Sequence, residues 1–332
     1  MPLYAKASLE ALPARIAAIL LFGLLLAAEA SAQEWPTKPV RFVVPFPAGG
    51  ATDLVTRVLC QQLESQFNVP FVVENRGGAG GNLGAAAVAA SPADGYTFMM
   101  SPPGVLSYNK ALYRELSFDP DRDLDAISLF ASLPNVLVVH PSLPVRTVPE
   151  LIAYAKANPG KLNYGSAGVG STSHIATELF KSMADVEMQH VAYRGTSLSL
   201  VDLIAGQIQL VIDNLPPIVG AVRSNQVRAL AISTPQRSAL LPDLPTISEA
   251  ALPGFSAYSW QMVTAPSRTP PAIIERLAAA VKQISQKPEV QAKLADLGFE
   301  TVGNTPQEAR AFVKDESVKW RAVVAKSGAR VD

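Results

Sequence analysis

Twice in this chain a short apolar strand runs into a glycine-rich turn and leaves it as a helix. The first instance is Val40-Arg41-Phe42-Val43-Val44 followed by Pro45-Phe46-Pro47-Ala48-Gly49-Gly50-Ala51-Thr52-Asp53. The second is Lys161-Leu162-Asn163-Tyr164 followed by Gly165-Ser166-Ala167-Gly168-Val169-Gly170-Ser171-Thr172-Ser173. Units of this kind build α/β folds. Each turn predicts unpaired backbone N–H groups at a helix N-terminus, where the dipole favours an anion. Two such turns, too far apart in sequence to share one loop, would clamp a small carboxylate if they faced each other. The competing reading is that each is only a glycine-tolerant link between strand and helix.

Residues 1–32 read as a secretory signal. Lys6 and Arg15 make a basic start, residues 16–28 an apolar core, and Ala30-Ser31-Ala32 an A-x-A cleavage site before Gln33. The apolar core is shorter than the ~20 residues a spanning helix needs. An exported, periplasmic chain is therefore expected. Its one cysteine, Cys60, allows no internal disulfide, so the core must suffice alone. Cys60 sits in a helical pattern and reads as a buried structural thiol. The 28 basic and 28 acidic residues balance to +0 without a basic run, which argues against nucleic acid or an anionic membrane surface as partner.

Apolar runs alternate with helical patterns along the chain. Strands are expected at 41–44, 71–73 and 96–100, and at 125–131 leading into 136–139. Helices are expected at 53–66 and 83–90. A second, similar series follows, with strands at 162–164, 188–192, 210–212 and 227–232 and helices at 148–158, 173–183 and 197–205. A proline-rich stretch at 240–253 leads to a strand at 260–266 and three helices at 271–285, 288–297 and 306–326, each opening with proline. This order predicts one α/β domain at 33–131 plus 250–332 and a second at 132–249, with crossings near 130–136 and 252–260. A cleft between such domains lies outside the carboxyl ends of the parallel strands.

Catalytic constellations are sparse. His140, His174 and His190 lack metal-ligand spacing, and no G-x-S-x-G elbow occurs. Residues 77–84 have the spacing G-x-G-x-x-x-G rather than the dinucleotide fingerprint. No metal, cofactor or catalytic residue is expected. The candidate ligand contacts are Phe46, Ala48, Gly49, Gly50, Thr52 and Asp53 in the first turn, and Ser166, Ala167, Gly168, Gly170, Ser171 and Thr172 in the second. Asn82, a short amide, and Tyr193, at a strand end, join them. Asp213 either accepts from a ligand amine or hydroxyl or caps the next turn. Arg194 either pairs with a second ligand carboxylate or makes a surface salt bridge. Trp260 is either an apolar wall or core.

Several stretches together carry a family resemblance. They are Val44–Asp53 as given above, Glu74-Asn75-Arg76-Gly77-Gly78-Ala79-Gly80-Gly81-Asn82-Leu83-Gly84, Pro92-Ala93-Asp94-Gly95-Tyr96-Thr97, Ala157-Asn158-Pro159-Gly160-Lys161-Leu162-Asn163-Tyr164-Gly165-Ser166, Gly168-Val169-Gly170-Ser171, His190-Val191-Ala192-Tyr193-Arg194-Gly195 and Val227-Arg228-Ala229-Leu230-Ala231. In this order they resemble the extracytoplasmic solute receptors of the tripartite tricarboxylate transporter family, the Bug receptors, from about Trp35 to the C-terminus. The resemblance implies a two-domain periplasmic binding protein-like fold of type II, with the cleft between domains joined by crossing strands. It implies closure on a mono- or dicarboxylate, an acidic amino acid or an aromatic acid, with both glycine turns gripping one carboxylate. It also implies a monomer that delivers this ligand to a membrane permease of the same transporter type. The chain departs from the family pattern at Ala192 and Gly77, where proline is usual, and at Gln261-Met262, where a glycine is common. Two alternatives remain open: a ligand sensor for a membrane signalling protein, and an exported enzyme.

Overall fold

The computed structural model describes residues 35–327; the expected signal segment 1–32 and its cleavage site lie outside them. Ten strands among the described residues form one sheet, β1 (Val40–Val44), β2 (Phe71–Asn75), β3 (Thr97–Ser101), β4 (Leu124–Val139), β5 (Asn163–Ser166), β6 (Gln189–Ala192), β7 (Leu210–Asn214), β8 (Arg228–Ile232), β9 (Tyr258–Pro266) and β10 (Glu300–Thr301). The order is β2-β1-β3-β9-β4-β7-β5-β6, with β8 and β10 also pairing with β4. The expected strands at 125–131 and 136–139 are one strand. Its first part, through Pro134, pairs with β9, and Asn135–Val139 pairs with β7. Pro134 donates no N–H, and it sits where β4 exchanges one neighbour for another, so the missing donor costs the ladder little.

Either side of this strand, the sheet is parallel where helices cross over it. β1 lies parallel to β2 and β3, and β5 lies parallel to β6 and β7. The helices that follow four of these strands matter most: α1 (Ala51–Phe67) after β1, α4 (Thr172–Ala184) after β5, α5 (Thr196–Ile204) after β6 and α6 (Leu215–Arg223) after β7. Helix α2 (Asn82–Ala89) makes the crossover from β2 to β3, and α3 (Val148–Ala157) links β4 to β5. The tail is α7 (Pro271–Ser285), α8 (Pro288–Asp296) and α9 (Pro306–Ser327), each opening with proline as expected.

Strand alternation divides the core. Leu137 and Val139 face a cluster with Tyr164, Ile175 and Phe180, whereas Val136 and Val138 face Leu203, Val211 and Ile218 on the other side. Helix α4 therefore covers one face, and α5 and α6 cover the other. A third cluster surrounds Val43, Met99, Trp260 and Met262. Helix α9 reaches two clusters, placing Trp320 against Tyr108 in one and Ala309 in another. Trp260 and Trp320 donate from both indoles to Glu316 Oε2, at 3.1 and 2.7 Å. Trp260 is thus core, fully buried with its ring edge-on to Phe312, and the wall reading falls away. Cys60 is buried as expected, and burial pushes its thiol pKa up. No helix among the described residues is long and apolar enough to cross a membrane.

Candidate functional site

The carboxyl ends of β1, β5, β6 and β7 meet at one cavity, and the four helices that follow point their N-termini into it. From the first comes Gly50, Ala51 and Thr52, with Phe46 and Pro47 before them. The second supplies Ser171, Thr172 and Ser173 with Ala167, the third Gly195, Thr196 and Ser197, and the fourth Asp213 and Asn214. Pro102 and Ser259 close the remaining side. The free space is about 30 Å³, room for about two waters. Its walls must part to admit an organic acid.

Three of these four termini, at Gly50, Gly195 and Asn214, carry no side-chain cap; α6 nevertheless brings few donors, because Pro216 and Pro217 in its first turn have no N–H. The fourth is capped, since Ser171 Oγ accepts from the His174 N–H at 3.3 Å. First-turn N–H groups have no acceptor within their own helix. An anion in this cavity would meet several of them at once.

The turns themselves differ from the expectation of unpaired N–H groups. Gly49 N–H donates to Asp53 Oδ2 at 3.0 Å, Ala167 N–H to Ser173 Oγ at 2.9 Å and Gly168 N–H to Ser166 Oγ at 3.2 Å. Gly170 N–H reaches His174 Nδ1 at 3.3 Å. Buried backbone donors find partners inside the protein, so the open donors lie one step later, in the first helical turns.

Of the candidate contacts, Phe46, Gly50, Thr52, Ala167, Ser171, Thr172 and Asp213 line the cavity. Ala48, Gly49, Asp53, Asn82, Ser166, Gly168, Gly170 and Tyr193 lie outside its lining. Asp53 is fully engaged: Gly49 N–H, Arg57 and Asn75 Nδ2 all donate to it. Burial alone would raise its pKa, but those donors together hold it below the usual carboxylate value. Asn82 pairs with the Asn109 amide at 2.6 Å. Gly168 and Tyr193 border a neighbouring groove, together with Arg194 and Tyr113. The Tyr193 hydroxyl turns away to donate to Asp202 at 2.7 Å.

Ser166 and His174 support the second turn from beneath. His190 Nε2 lies 2.6 Å from Ser166 Oγ, and its ring stacks on His174 at 4.3 Å and on Tyr164 at 4.7 Å. Burial pushes both histidines down to about 4, helped by Lys181 at His174 and by the His174 ring at His190. Both rings are therefore neutral at neutral pH, which keeps His174 Nδ1 free to accept from Gly170.

Asp213 is fully buried. Its Oδ1 accepts from Asn214 N–H at 2.7 Å, while Oδ2 has no hydrogen-bond partner. Burial pushes its pKa up to about 6, against the pull of Asn214 N–H and the hydroxyls of Thr196 and Ser173.

Sequence reasoning missed Pro47, Ala51, Pro102, Ser173, Gly195, Thr196, Ser197, Asn214 and Ser259. A signal existed for two termini: Gly195 separates a strand from a helix, and Pro216-Pro217 marks a helix start just after Asn214. Ser259 and Pro102 come from strands brought in by non-local pairing, and no local pattern marks them.

Beside the cavity, the second turn packs against Gly80, Gly104 and Tyr113. Tyr113 hydroxyl donates to Val169 carbonyl at 2.5 Å. A Cβ added at Gly104 would fall on the Gly170 carbonyl oxygen, and one at Gly80 on that of Val169.

Comparison with known proteins places this arrangement. The profile of the tripartite tricarboxylate transporter family receptors matches residues 55–329. Rpa4515 of R. palustris, solved with adipate, is 40% identical, superposes with a TM-score of 0.87 and covers 89% of this chain and 99% of its own. MatC from Rhodopseudomonas palustris, solved with malate, is 32% identical at a TM-score of 0.84, covering 87% of this chain and 100% of its own. The periplasmic binding protein BugD is 31% identical at a TM-score of 0.85, covering 89% and 99%. The family consists of solute-binding receptors rather than enzymes, and the chain described here belongs to it: it is a tripartite tricarboxylate transporter family receptor of the Bug type.

Proposed function

We propose that this receptor captures a small organic carboxylate in the cavity at the carboxyl ends of β1, β5, β6 and β7 and delivers it to a membrane permease of the tripartite tricarboxylate transporter type. The observation that carries this reading is the convergence of four helix N-termini on one cavity, with first-turn N–H groups of α1, α4 and α5 directed at it. Thr52, Thr172, Ser173, Thr196 and Ser197 add hydroxyls beside the open N–H groups. One terminus stabilises an anion by ~0.3–1 kcal/mol, up to ~2 when partly buried. Four together approach the roughly −8 kcal/mol of a micromolar complex only at the top of that range. Charge-assisted hydrogen bonds and burial of the ligand body supply the remainder. The adipate and malate bound by the two R. palustris relatives support a carboxylate as ligand class.

Residues 33–131 with 250–332, and residues 132–249, act as two lobes that open and close about β4 and β9. The change of neighbours along β4 at Pro134 and Asn135 supports a hinge there. The protein works as a monomer in the periplasm after loss of residues 1–32. A thermal-shift screen with organic acids and their neutral amides tests the reading. Acids that bind raise the melting temperature as their concentration exceeds Kd, while the amides leave it unchanged. Equal shifts from acids and amides, or product formed from a bound acid, would overturn it.

A further inference from the structure

The walls and floor of the cavity have opposite hydrogen-bonding character. The walls are helix N-termini and offer donors. At the floor, where β7 ends, the orphaned groups are acceptors: Asp213 Oδ2 and Asn214 Oδ1 are both buried without a partner. The Ser173 and Thr196 hydroxyls lower the Asp213 pKa, yet neither reaches Oδ2 in hydrogen-bonding geometry. A buried carboxylate oxygen without a donor is costly, and Oδ2 has none within hydrogen-bonding geometry. A ligand presenting only an ionised carboxylate would set one anion beside another. A ligand that also brings an N–H or O–H would complete the floor.

We infer that Asp213 makes this cavity selective for carboxylates carrying a hydrogen-bond donor on the carbon next to the acid group, a 2-hydroxy or 2-amino acid, over the same acid without it. The inference rests on the receptor reading above. The position of the donor follows from adjacency: Asp213 and Asn214 line the same cavity as the first residues of α1, α4 and α5, so a donor on the carbon next to the carboxylate is the one placed to meet the floor while the carboxylate meets the walls. An ammonium gains more than a hydroxyl, because it also offsets the Asp213 charge.

Calorimetric titration at neutral pH of matched short-chain acids, each unsubstituted, 2-hydroxy and 2-amino, tests this on the wild-type protein. The donor-bearing member of a set should bind roughly ten- to a hundredfold more tightly than the plain acid. In Asp213→Asn the acids should still bind, and that gap should close. If Asp213→Asn does not fold, as judged by its melting curve, Asp213→Ser takes its place; if neither folds, the wild-type ranking decides alone. Equal affinities within every set, or a gap that survives the substitution, would overturn the inference and leave the receptor reading standing. Failure of every acid to bind would overturn both.

Discussion

Substituting Gly104 by alanine isolates a backbone approach between the two proposed lobes, that of Gly104 to Gly170. Gly104 opens the wide helical turn Gly104–Tyr108, two residues after Pro102 in the cavity wall. Its backbone is ordinary, so the substitution adds no torsional strain. The new methyl would lie on the Gly170 carbonyl oxygen, well inside the roughly 3.3 Å that carbon and oxygen keep. Sideways relief is blocked by Asn109 Oδ1 at 3.1 Å and Tyr108 Cε2 at 3.3 Å. The obstacle is backbone rather than a pliable side chain, so the turn at 168–170 must withdraw. Overpacking of this kind costs about 1–3 kcal/mol. If the contact belongs to the closed form, that cost falls on binding as a loss of roughly 5- to 150-fold in affinity. The melting temperature of the free protein should not move. Titration of the best ligand into wild type and Gly104→Ala, with melting curves of both free proteins, measures the two effects separately. Wild-type affinity in the variant, or a melting temperature lowered in step with affinity, would refute the assignment of this contact to closure.

The paired histidines predict acid sensitivity. Both are held near 4, below the ordinary value of about 6.5. Between these values the unfolded chain binds protons that the folded one does not, so stability falls as pH drops from about 6.5 toward 4 and then levels off. Asp213, shifted upward, offsets part of this between about 4 and 6, and His190→Gln should flatten the slope in a melting-temperature series; an unchanged slope would count against the assignment. At Asp53 the sign is that of a depressed carboxylate: its stabilisation is present above about 4 and is lost as pH falls through its lowered pKa. Asp53→Asn should cost about 1–3 kcal/mol in denaturant unfolding at pH 7, with the difference shrinking at pH 3, and a difference independent of pH would contradict the charge argument. N-terminal sequencing of periplasmic material should begin near Gln33, and a Met1 retained in the membrane fraction would exclude the signal reading.

The strand–turn–helix units were legible because they are local: an apolar run, glycines and a helical period lie within a dozen residues. Ser171, expected as a ligand contact, also caps its helix by accepting from His174 N–H, and the proline-led tail helices begin where the prolines stand. The Gly195-Thr196 and Asn214-Leu215 termini follow the same rule with weaker punctuation, one glycine or a proline pair, which marks a helix start but not its place at the cavity. Asp53 looks like a ligand contact from its place in a first helical turn. Only the fold shows that Gly49, Arg57 and Asn75 already occupy it, and of these Arg57, four residues on, was readable in advance. Tyr193 ends a strand at the right height, yet Asp202 draws its hydroxyl away. Ser259 and Pro102 owe their positions to the pairing of β9 with β3 and β4, a long-range choice that no window of sequence contains.

The most direct test is a crystal structure of the complex with the tightest-binding acid from the screen. The account predicts the ligand carboxylate between the four helix starts, with its oxygens about 2.7–3.2 Å from the first-turn N–H groups near Thr52, Thr172 and Thr196. A ligand seated in the groove beside Tyr113 and Tyr193, or a carboxylate held by Arg194 with those N–H groups untouched, would contradict it.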